Sequence, residues 1–132
     1  LSALKTNLLE DRKAKLQDVV QMARQALDLD REAAKKAGLS DADILSRSKA
    51  LLSTLRFGTD DYFYALEMDG NIAAHANPKM IGKNFINSPD SDGVFFTRDE
   101  IEMVKRGASG FVTFRFPRAG LNEPLPKVAY VA

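Results

Sequence analysis

The 132-residue sequence offers groups that could bind an anion but no recognisable arrangement for catalysis. It has one histidine, His75, and no cysteine, and it lacks a nucleophile elbow, a glycine-rich phosphate loop and a paired-histidine metal motif. Arg56 and Lys127 lie next to predicted strands, and an arginine fork can bind a carboxylate through two hydrogen bonds. We therefore expect a binding site for a small organic anion, with no enzyme activity, no metal and no cofactor.

His75 has two interpretations. An isolated strand histidine is commonly satisfied by a backbone group, which would make it purely structural. Its neighbours Ala73, Ala74 and Ala76 are small, however, and leave room for a ligand above the strand. Both interpretations stay open, whereas nothing else in the sequence indicates a haem pocket.

The aromatic run Tyr62-Phe63-Tyr64 lies in a predicted strand, so Tyr62 and Tyr64 share a face. The simplest interpretation is core packing, because aromatic side chains dominate buried surface. A buried tyrosine hydroxyl needs a hydrogen-bond partner, and a carboxylate ligand would supply one. The run therefore suits either a core or one wall of a binding site.

The remaining cations are weaker candidates. Arg115 alternates with Phe114 and Phe116, faces away from them and is expected to be solvated. Lys127 either attracts an anion or protects an edge strand from pairing, as charged residues often do. Lys83 is expected to be an exposed loop lysine.

Composition indicates an ordinary globular chain, with 45% hydrophobic and 28% charged residues. The net charge is +1. Residues 1–56 hold 11 basic and 8 acidic groups, and residues 57–132 hold 8 basic and 10 acidic groups. Neither half is strongly basic, so nucleic acid is not an expected partner. The sequence contains no run of 18 or more apolar residues, the length that a membrane-spanning helix needs. Because the sequence begins with Leu1 and has no initiating Met, we expect it to be part of a larger protein.

Two helices are predicted in the first part of the chain. Residues 1–37 lack Gly and Pro and show helical apolar spacing, so we expect one long helix that ends at Gly38. Ser40 is a good N-cap for a second helix that runs to about Leu55 and is closed by Gly58. The apolar positions of the long helix are Leu1, Leu4, Leu8, Leu16, Val19, Val20, Ala23, Ala26 and Leu27.

The second part changes to a strand pattern. Tyr62 to Leu66 and Asn71 to Ala76 are predicted strands joined by a tight turn at Asp69-Gly70. Residues 77–97 are rich in Pro, Gly, Asn and Asp, which predicts a long loop of the kind that often binds ligands. Asp90 and Asp92 in this loop are expected to be solvated or capping groups rather than cation ligands.

A short helix and two more strands complete the predicted fold. Thr97 and Glu100 form a capping box that opens a helix to Val104, ended by Gly107. Residues 111–116 and 127–131 are strands separated by a proline-containing loop. Hairpin-joined strands favour an antiparallel sheet of four or more strands with helices packed on one face, an α+β fold.

Several short motifs occur in a recognisable order. They are Arg56-Phe57-Gly58, Asp61-Tyr62-Phe63-Tyr64, Met68-Asp69-Gly70, His75-Ala76-Asn77-Pro78, Gly82-Lys83-Asn84, Gly110-Phe111-Val112 and Pro126-Lys127-Val128-Ala129-Tyr130. Together they resemble the single-Cache sensor domain of bacterial methyl-accepting chemotaxis proteins and histidine kinases. The resemblance covers roughly the last three-fifths of the chain. It implies one PAS-like domain over residues 1–132, with a helical segment at 1–57 and a sheet at 58–132 whose pocket loop is 77–97.

The resemblance also implies a function. It suggests an extracytoplasmic, periplasmic domain of an inner-membrane chemoreceptor that binds a small carboxylate such as acetate, propionate, lactate or pyruvate. Membrane helices outside this chain would anchor the parent protein, and the N-terminal helix would signal and form a weak homodimer. A sheet face lined by Tyr64, His75, Phe116 and Tyr130 would hold the ligand under the loop. The implied ligand-binding residues are Arg56, Tyr64, His75, Phe116, Lys127 and Tyr130.

Two features depart from the family pattern. Tyr64 occupies a position where family members commonly have Trp, and a further strand usually follows the segment that ends here at Ala132. The alternatives to a chemoreceptor are a sensor domain of a histidine kinase or cyclase, a cytosolic PAS-like cofactor module, and a dimerisation element without a working pocket.

Overall fold

The computed structural model describes residues 2–58, 61–117 and 123–132, with side chains from Glu10 onward. It contains two compact units, one formed by Leu1–Val20 with Phe85–Ala132 and the other by Gln21–Asn84. The predicted apolar side chains of Leu1, Leu4 and Leu8, and the middle of the loop that precedes the last strand, lie outside the described residues. The assignment of 1–132 to one domain stays a prediction.

The long helix α1 spans Ser2–Lys36 and ends, as predicted, at a left-handed glycine. Gly38 has φ 82°, its N–H donates to the Lys35 carbonyl at 3.0 Å, and the Leu39 N–H donates to the Ala34 carbonyl at 3.1 Å. This pair of bonds satisfies carbonyls that the last helical turn leaves without partners. The predicted helix end is therefore confirmed.

Helix α2 spans Asp41–Thr54, and its predicted N-cap is also confirmed, since the Asp43 N–H donates to Ser40 Oγ at 3.2 Å. Its predicted end near Leu55 is confirmed, but Gly58 does not close it as predicted. Leu55 already has extended backbone angles, φ −69° and ψ 137°, and the chain enters a strand at the next residue. Gly58, with φ 58°, instead lies in the turn after that strand.

Four short strands lie in the Gln21–Asn84 unit. These are β1 at Arg56–Phe57, β2 at Asp61–Tyr62, β3 at Tyr64–Leu66 and β4 at Ile72–His75. β1 pairs antiparallel with β2, and β3 pairs antiparallel with β4 with a register shift after Ala65. The strand predicted from Tyr62 to Leu66 is thus divided at Phe63, because its two halves pair with different partners.

The turn between β3 and β4 forms as predicted. The Gly70 N–H donates to the Glu67 carbonyl at 2.9 Å, the Glu67 N–H donates to the Asn71 carbonyl at 2.8 Å, and Gly70 has φ 98°. A positive φ is readily adopted by glycine, which explains the Asp69-Gly70 signal. α2 packs against this hairpin and places Ser53 beside β4.

The other unit contains α3 at Phe96–Lys105, β5 at Gly110–Pro117 and β6 at Pro124–Val131. The capping box predicted at Thr97 is wrong. The helix begins two residues earlier than predicted, Phe95 takes the cap position without a side-chain hydrogen bond, and Thr97 and Glu100 are buried at 3% and 2% exposure. Tertiary burial therefore takes both side chains away from the capping role that their spacing predicts.

An aromatic core holds α3 against the β5–β6 ribbon. Phe96 stacks on Phe114 with ring centroids 4.5 Å apart and planes 12° apart, and Val112 completes the buried set. Phe116 meets Phe96 edge-on at 6.1 Å, and Phe85 packs against the same cluster. This core fixes which face of the ribbon is turned inward.

The α+β class and the antiparallel pairing of strands are confirmed. Among the described residues the strands form three two-stranded sheets, β1–β2, β3–β4 and β5–β6, rather than one ladder of four or more. The break at Phe63 separates β2 from β3, so each of these strands joins a different pair.

Candidate ligand-binding site

Tyr62, Tyr64 and His75 form an aromatic cluster in the Gln21–Asn84 unit. Tyr64 lies directly opposite His75 in the β3–β4 pair, with ring centroids 6.1 Å apart and the planes near parallel. The Tyr62 ring lies 4.8 Å from the imidazole and is tilted by 51°. Two phenols and an imidazole therefore converge at one end of the hairpin, which offers several polar donors beside an apolar ring surface.

His75 is positioned by one hydrogen bond to its backbone and one to its ring. Its backbone N–H donates to Ser53 Oγ at 3.1 Å, and its Nδ1 accepts the backbone N–H of Asn77 at 2.9 Å. Because Nδ1 accepts, the neutral ring carries its proton on Nε2, which is then a hydrogen-bond donor. His75 is 8% exposed, so this donor lies in a largely water-excluded environment.

Arg56 lies at the junction of α2 and β1, next to the same cluster. Its Nη1 donates to the carbonyls of Ser53 and Leu55 at 2.8 and 2.9 Å, which are carbonyls that the helix end leaves without partners. Its Nη2 reaches the carbonyl of Ala76, directly after His75, at 3.5 Å. The exposed side chain therefore caps α2 and links the helix end to the chain directly after β4.

The first part of the predicted pocket loop is fixed along β4. The Ile72 N–H donates to the Lys83 carbonyl at 2.9 Å, and the Gly82 N–H donates to the Ile72 carbonyl at 2.8 Å. Asn84 Nδ2 donates to the carbonyl of Asp69 at 3.0 Å and to Asn71 Oδ1 at 3.1 Å. Residues 82–84 are thus hydrogen-bonded to the hairpin. Lys83 is exposed, as expected.

The second part of the loop is organised by Asp90. Its carboxylate accepts the backbone N–H groups of Asp92, Val94 and Arg115 at 2.9, 2.8 and 2.7 Å. Desolvation opposes ionisation, but these three N–H groups and the nearby Arg115 charge together hold the pKa of Asp90 below its usual value. Asp90 is therefore a structural group of the loop.

Arg115 does more than the solvated role predicted for it. Its Nε donates to Asp92 Oδ2 at 2.8 Å, while both side chains remain substantially exposed. The guanidinium is thereby engaged within the loop that Asp90 organises. Surface pairs of this kind contribute little free energy, so its role is mainly to fix geometry.

The β5–β6 register separates the three site residues predicted in the second unit. Phe116 lies opposite Leu125 and Lys127 lies opposite Phe114, so Phe116 and Lys127 share a face, with Lys127 Nζ 5.6 Å from the Phe116 ring. Tyr130 lies opposite Phe111, which the alternation of side chains places on the other face. The expectation that Phe116 and Tyr130 line one face is therefore wrong.

The Tyr130 face also meets α1. The rings of Tyr130 and Phe111 lie 5.1 Å apart, and Lys13 Nζ of α1 lies 5.4 Å from the Phe111 ring. The structure thus brings together Arg56, Tyr64 and His75 in one unit and Phe116 with Lys127 in the other. The ligand roles of all six predicted residues stay predictions.

Two partners of His75 were not among the predicted site residues. Ser53 holds its backbone N–H, and the Asn77 amide holds its ring. The side-chain pattern carried no signal for either, since a backbone amide is common to nearly all residue types. Within the described ranges, no group of three or more His, Cys, Asp or Glu side chains is arranged to hold a metal ion, and no helix is long and apolar enough to cross a membrane.

Helices packed on antiparallel strand pairs, with residues 82–84 bound along β4, make an α+β module. The chain belongs to the family described as single Cache domain 2, whose model matches residues 8–132. The predicted family is therefore confirmed, and this family comprises ligand-binding sensor domains.

Relatives with known names include chemotaxis receptors. The chain is 30% identical over 101 residues to the methyl-accepting chemotaxis protein McpP of Pseudomonas putida, covering 71% of this chain and 19% of that protein. It is 31% identical over 130 residues to CtpM of Pseudomonas aeruginosa, covering 93% and 22%. A sensor histidine kinase, MctS of Rhizobium johnstonii, is 24% identical over 132 residues, covering 99% and 28%. The chain thus spans between 19% and 28% of the length of these proteins.

Solved structures share the fold. A Cache chemosensory domain studied for carboxylic acid recognition is 25% identical with a TM-score of 0.83, covering 95% of this chain and 86% of that one. A methyl-accepting chemotaxis protein of Vibrio parahaemolyticus is also 25% identical, with a TM-score of 0.82 and coverage of 98% and 84%.

Proposed function

We propose that this chain is the extracytoplasmic ligand-sensing domain of a bacterial transmembrane chemoreceptor and that it binds a small carboxylate. The observation that carries this proposal is the cluster of His75 with Tyr62 and Tyr64, whose ring centroids lie 4.8 and 6.1 Å from the imidazole, together with the cationic Arg56 paired opposite Tyr62. Support also comes from the neighbouring Cache domain known for carboxylic acid recognition.

A short carboxylate suits this set of groups. An anion gains from charge-assisted hydrogen bonds to the imidazole N–H, the tyrosine hydroxyls and the guanidinium, and such bonds strengthen where water is excluded. The ring faces of Tyr62 and Tyr64 suit a methyl, ethyl or hydroxyethyl tail. Acetate, propionate, lactate and pyruvate are therefore the proposed ligand class.

The second unit supplies further candidates. Phe116 and Lys127 share a face of the β5–β6 ribbon, so one ligand could meet an aromatic ring and a cation there. Tyr130, on the opposite face beside Phe111, would reach a ligand only from the α1 side of the ribbon. We retain all three as proposed contacts to be separated by mutation.

A thermal-shift screen tests the ligand class. A ligand that binds only the folded protein raises Tm as its concentration passes its Kd. Arg56→Ala should weaken binding by roughly tenfold or more, since a hydrogen bond to a charged group contributes about 1.5–3 kcal/mol. Lys83→Ala is the matched control, because it removes one positive charge from an exposed position of the same unit. A cooperative melt that no short carboxylate shifts would overturn the proposal.

The parent protein is proposed to be anchored in the inner membrane, with this domain in the periplasm and α1 carrying the signal toward the membrane. The likeness to two methyl-accepting chemotaxis proteins supports a chemoreceptor output. The likeness to a sensor histidine kinase makes a kinase output the second candidate. Testing the full parent protein in a chemotaxis assay and in an autophosphorylation assay distinguishes the chemoreceptor output from the kinase output. Only one of the two should respond to the ligand.

We also propose a weak homodimer through α1. Met22 and Leu29 are 67% and 68% exposed, and their spacing of seven residues places them on one helix face. Apolar side chains at this spacing pack well across two parallel helices. Sedimentation of the wild type and of the Met22→Asp, Leu29→Asp double variant tests this; a wild type that stays monomeric at millimolar concentration would refute it.

A further inference from the structure

We propose that α2 couples the end of the β3–β4 hairpin to α1, and that the ion pair between Arg47 and Asp30 is the joint through which it does so. The inference goes beyond ligand recognition, because it concerns how a displacement beside His75 reaches the long helix. Every residue that it uses lies in the Gln21–Asn84 unit.

The C-terminal end of α2 is bound to the hairpin from both directions. Ser53 Oγ accepts the backbone N–H of His75 at 3.1 Å, so a helix side chain holds the end of β4. Arg56 Nη1 donates to the Ser53 and Leu55 carbonyls at 2.8 and 2.9 Å. Arg56 Nη2 reaches the Ala76 carbonyl at 3.5 Å. A displacement of residues 75 and 76 therefore moves the last turn of α2 or breaks these hydrogen bonds.

The middle of α2 is bound to α1 by a two-point ion pair. Arg47 Nε donates to Asp30 Oδ2 at 2.9 Å, and Arg47 Nη2 donates to Asp30 Oδ1 at 2.7 Å. The hydrogen bond from the guanidinium holds the pKa of the Asp30 carboxyl below its ordinary value, which keeps the pair charged. A planar fork on a carboxylate fixes orientation as well as distance, so neither helix can turn or slide here without losing a bond.

Little else of comparable specificity joins the two helices. Ala23, Asp30 and Ala34 share one face of α1 at helical spacing, and the ion pair shows that this face is turned toward α2. The two alanines are buried and have no long side chains to interlock, and packed helices of this kind can slide. Among the described side chains of residues 21–55, no other hydrogen bond links α1 to α2. The Arg47–Asp30 pair therefore fixes how far a movement of α2 displaces α1.

The short connection between the helices supplies the pivot. Gly38 ends α1 in a left-handed conformation with φ 82°, and Ser40 caps α2, so only residues 37–40 join the two helices. The Cα atoms of Arg47 and Ser53 are separated by about 9 Å along the axis of α2, at a rise of roughly 1.5 Å per residue. α2 is thus a short helix held at three points, by the turn at its start, the ion pair in its middle and the hairpin at its end.

A perturbation of the hairpin end that does not touch α1 tests the coupling without any ligand. Ser53→Ala removes the bond to the His75 N–H and keeps a good helix former in α2. The substitution is made in the wild type and in Arg47→Gln, which removes the ion pair. Arg31→Gln, which removes one exposed cation from α1, is the matched control background. A fourth background, the double variant Asp30→Arg, Arg47→Asp, rebuilds the ion pair with its charges exchanged.

The first readout is the backbone amide NMR spectrum of α1 residues 27–33. We expect Ser53→Ala to shift these amides in the wild-type and Arg31→Gln backgrounds. In Arg47→Gln at least half of that shift should be lost, and in the exchanged pair it should return. Equal shifts in the Arg47→Gln background, or no shift of α1 in the wild type, would overturn the inference. Should Arg47→Gln fail to fold, Asp30→Ala removes the same pair from the other helix, with the same expected result.

Titration with sodium acetate extends the test to the proposed ligand class, and this part alone rests on the proposed function. We expect Arg47→Gln to bind acetate within about twofold of the wild type by calorimetry, because Arg47 lies outside the proposed site. The acetate-induced shifts of amides 27–33 should fall by at least half in Arg47→Gln and persist in Arg31→Gln. Acetate shifts of α1 that Arg47→Gln leaves unchanged would refute the coupling. A wild type that binds no short carboxylate would refute the proposed function instead, while the Ser53→Ala comparison supports or overturns the coupling by itself.

Discussion

Replacing Phe96 by alanine tests the aromatic core that supports the Phe116 and Lys127 face. Phe96 is buried, stacks on Phe114 at 4.5 Å and meets Phe116 edge-on at 6.1 Å. Deletion of a buried phenylalanine ring costs about 3–5 kcal/mol, because both transfer free energy and packing are lost. A chain of this length loses roughly 3–5 °C of Tm for each kcal/mol, so Tm should fall by at least about 10 °C.

The adjacent phenylalanine provides the matched control. Phe95 is half-buried, precedes α3 and stacks with the Arg98 guanidinium at 4.1 Å, an interaction that contributes about 0.5–1 kcal/mol at exposed sites. Phe95→Ala should therefore lower Tm by only about 2–5 °C. Scanning calorimetry at fixed pH and protein concentration measures both. If Phe96→Ala lowers Tm no more than Phe95→Ala, the assignment of Phe96 to the core is refuted.

Two further predictions concern a helix end and the Asp90 loop. Gly38→Ala should destabilise the fold by about 1 kcal/mol through backbone strain alone, since φ is +82° and a new Cβ meets no atom within 4 Å; an unchanged Tm would contradict this. Because its pKa is lowered in the fold, the Asp90 carboxylate stabilises the protein above its unfolded pKa near 3.8, and this stability is lost as pH falls through the folded pKa. Asp90→Asn should therefore lower Tm at pH 7 and leave Tm unchanged at a pH below the folded pKa of Asp90. Asp92→Asn should lower Tm less at pH 7. An equal loss of Tm for Asp90→Asn at both pH values would contradict this.

Local signals predicted the parts of the fold that depend on a few adjacent residues. The end of α1 at Gly38, the Ser40 cap and the Asp69-Gly70 turn all follow from backbone preferences that neighbouring residues already determine. The same kinds of signal at Gly58 and Thr97 led to wrong predictions. The strand at Arg56–Phe57 separates Gly58 from the end of α2, and the start of α3 lies before the buried Thr97.

The placement of Tyr130 shows a different limit. Whether it shares a face with Phe116 depends on the pairing between β5 and β6, and a shift of one residue reverses every side chain of one strand. Only the structure fixes that pairing, by setting Phe111 opposite Tyr130 and Leu125 opposite Phe116. The alternation along each strand was predictable, and the register between the strands was not.

The grouping of the candidate side chains was predictable, and the backbone contacts around them were not. Arg56, Tyr64 and His75 were predicted together, and the structure places them together. The bond that gives His75 its polarity comes from a main-chain amide two residues later, which the sequence pattern does not mark. The sequence gives the side-chain types that could bind a ligand. The hydrogen bonds of the folded backbone determine which of their atoms donate and which accept.

A crystal structure of the protein with the short carboxylate that gives the largest thermal shift tests the central claim most directly. The account predicts a carboxylate oxygen at hydrogen-bond distance, roughly 3 Å, from His75 Nε2, with the Asn77 bond to Nδ1 intact. A carboxylate bound away from the cluster of Tyr62, Tyr64 and His75, or a His75 ring that turns Nδ1 toward the ligand, would contradict it.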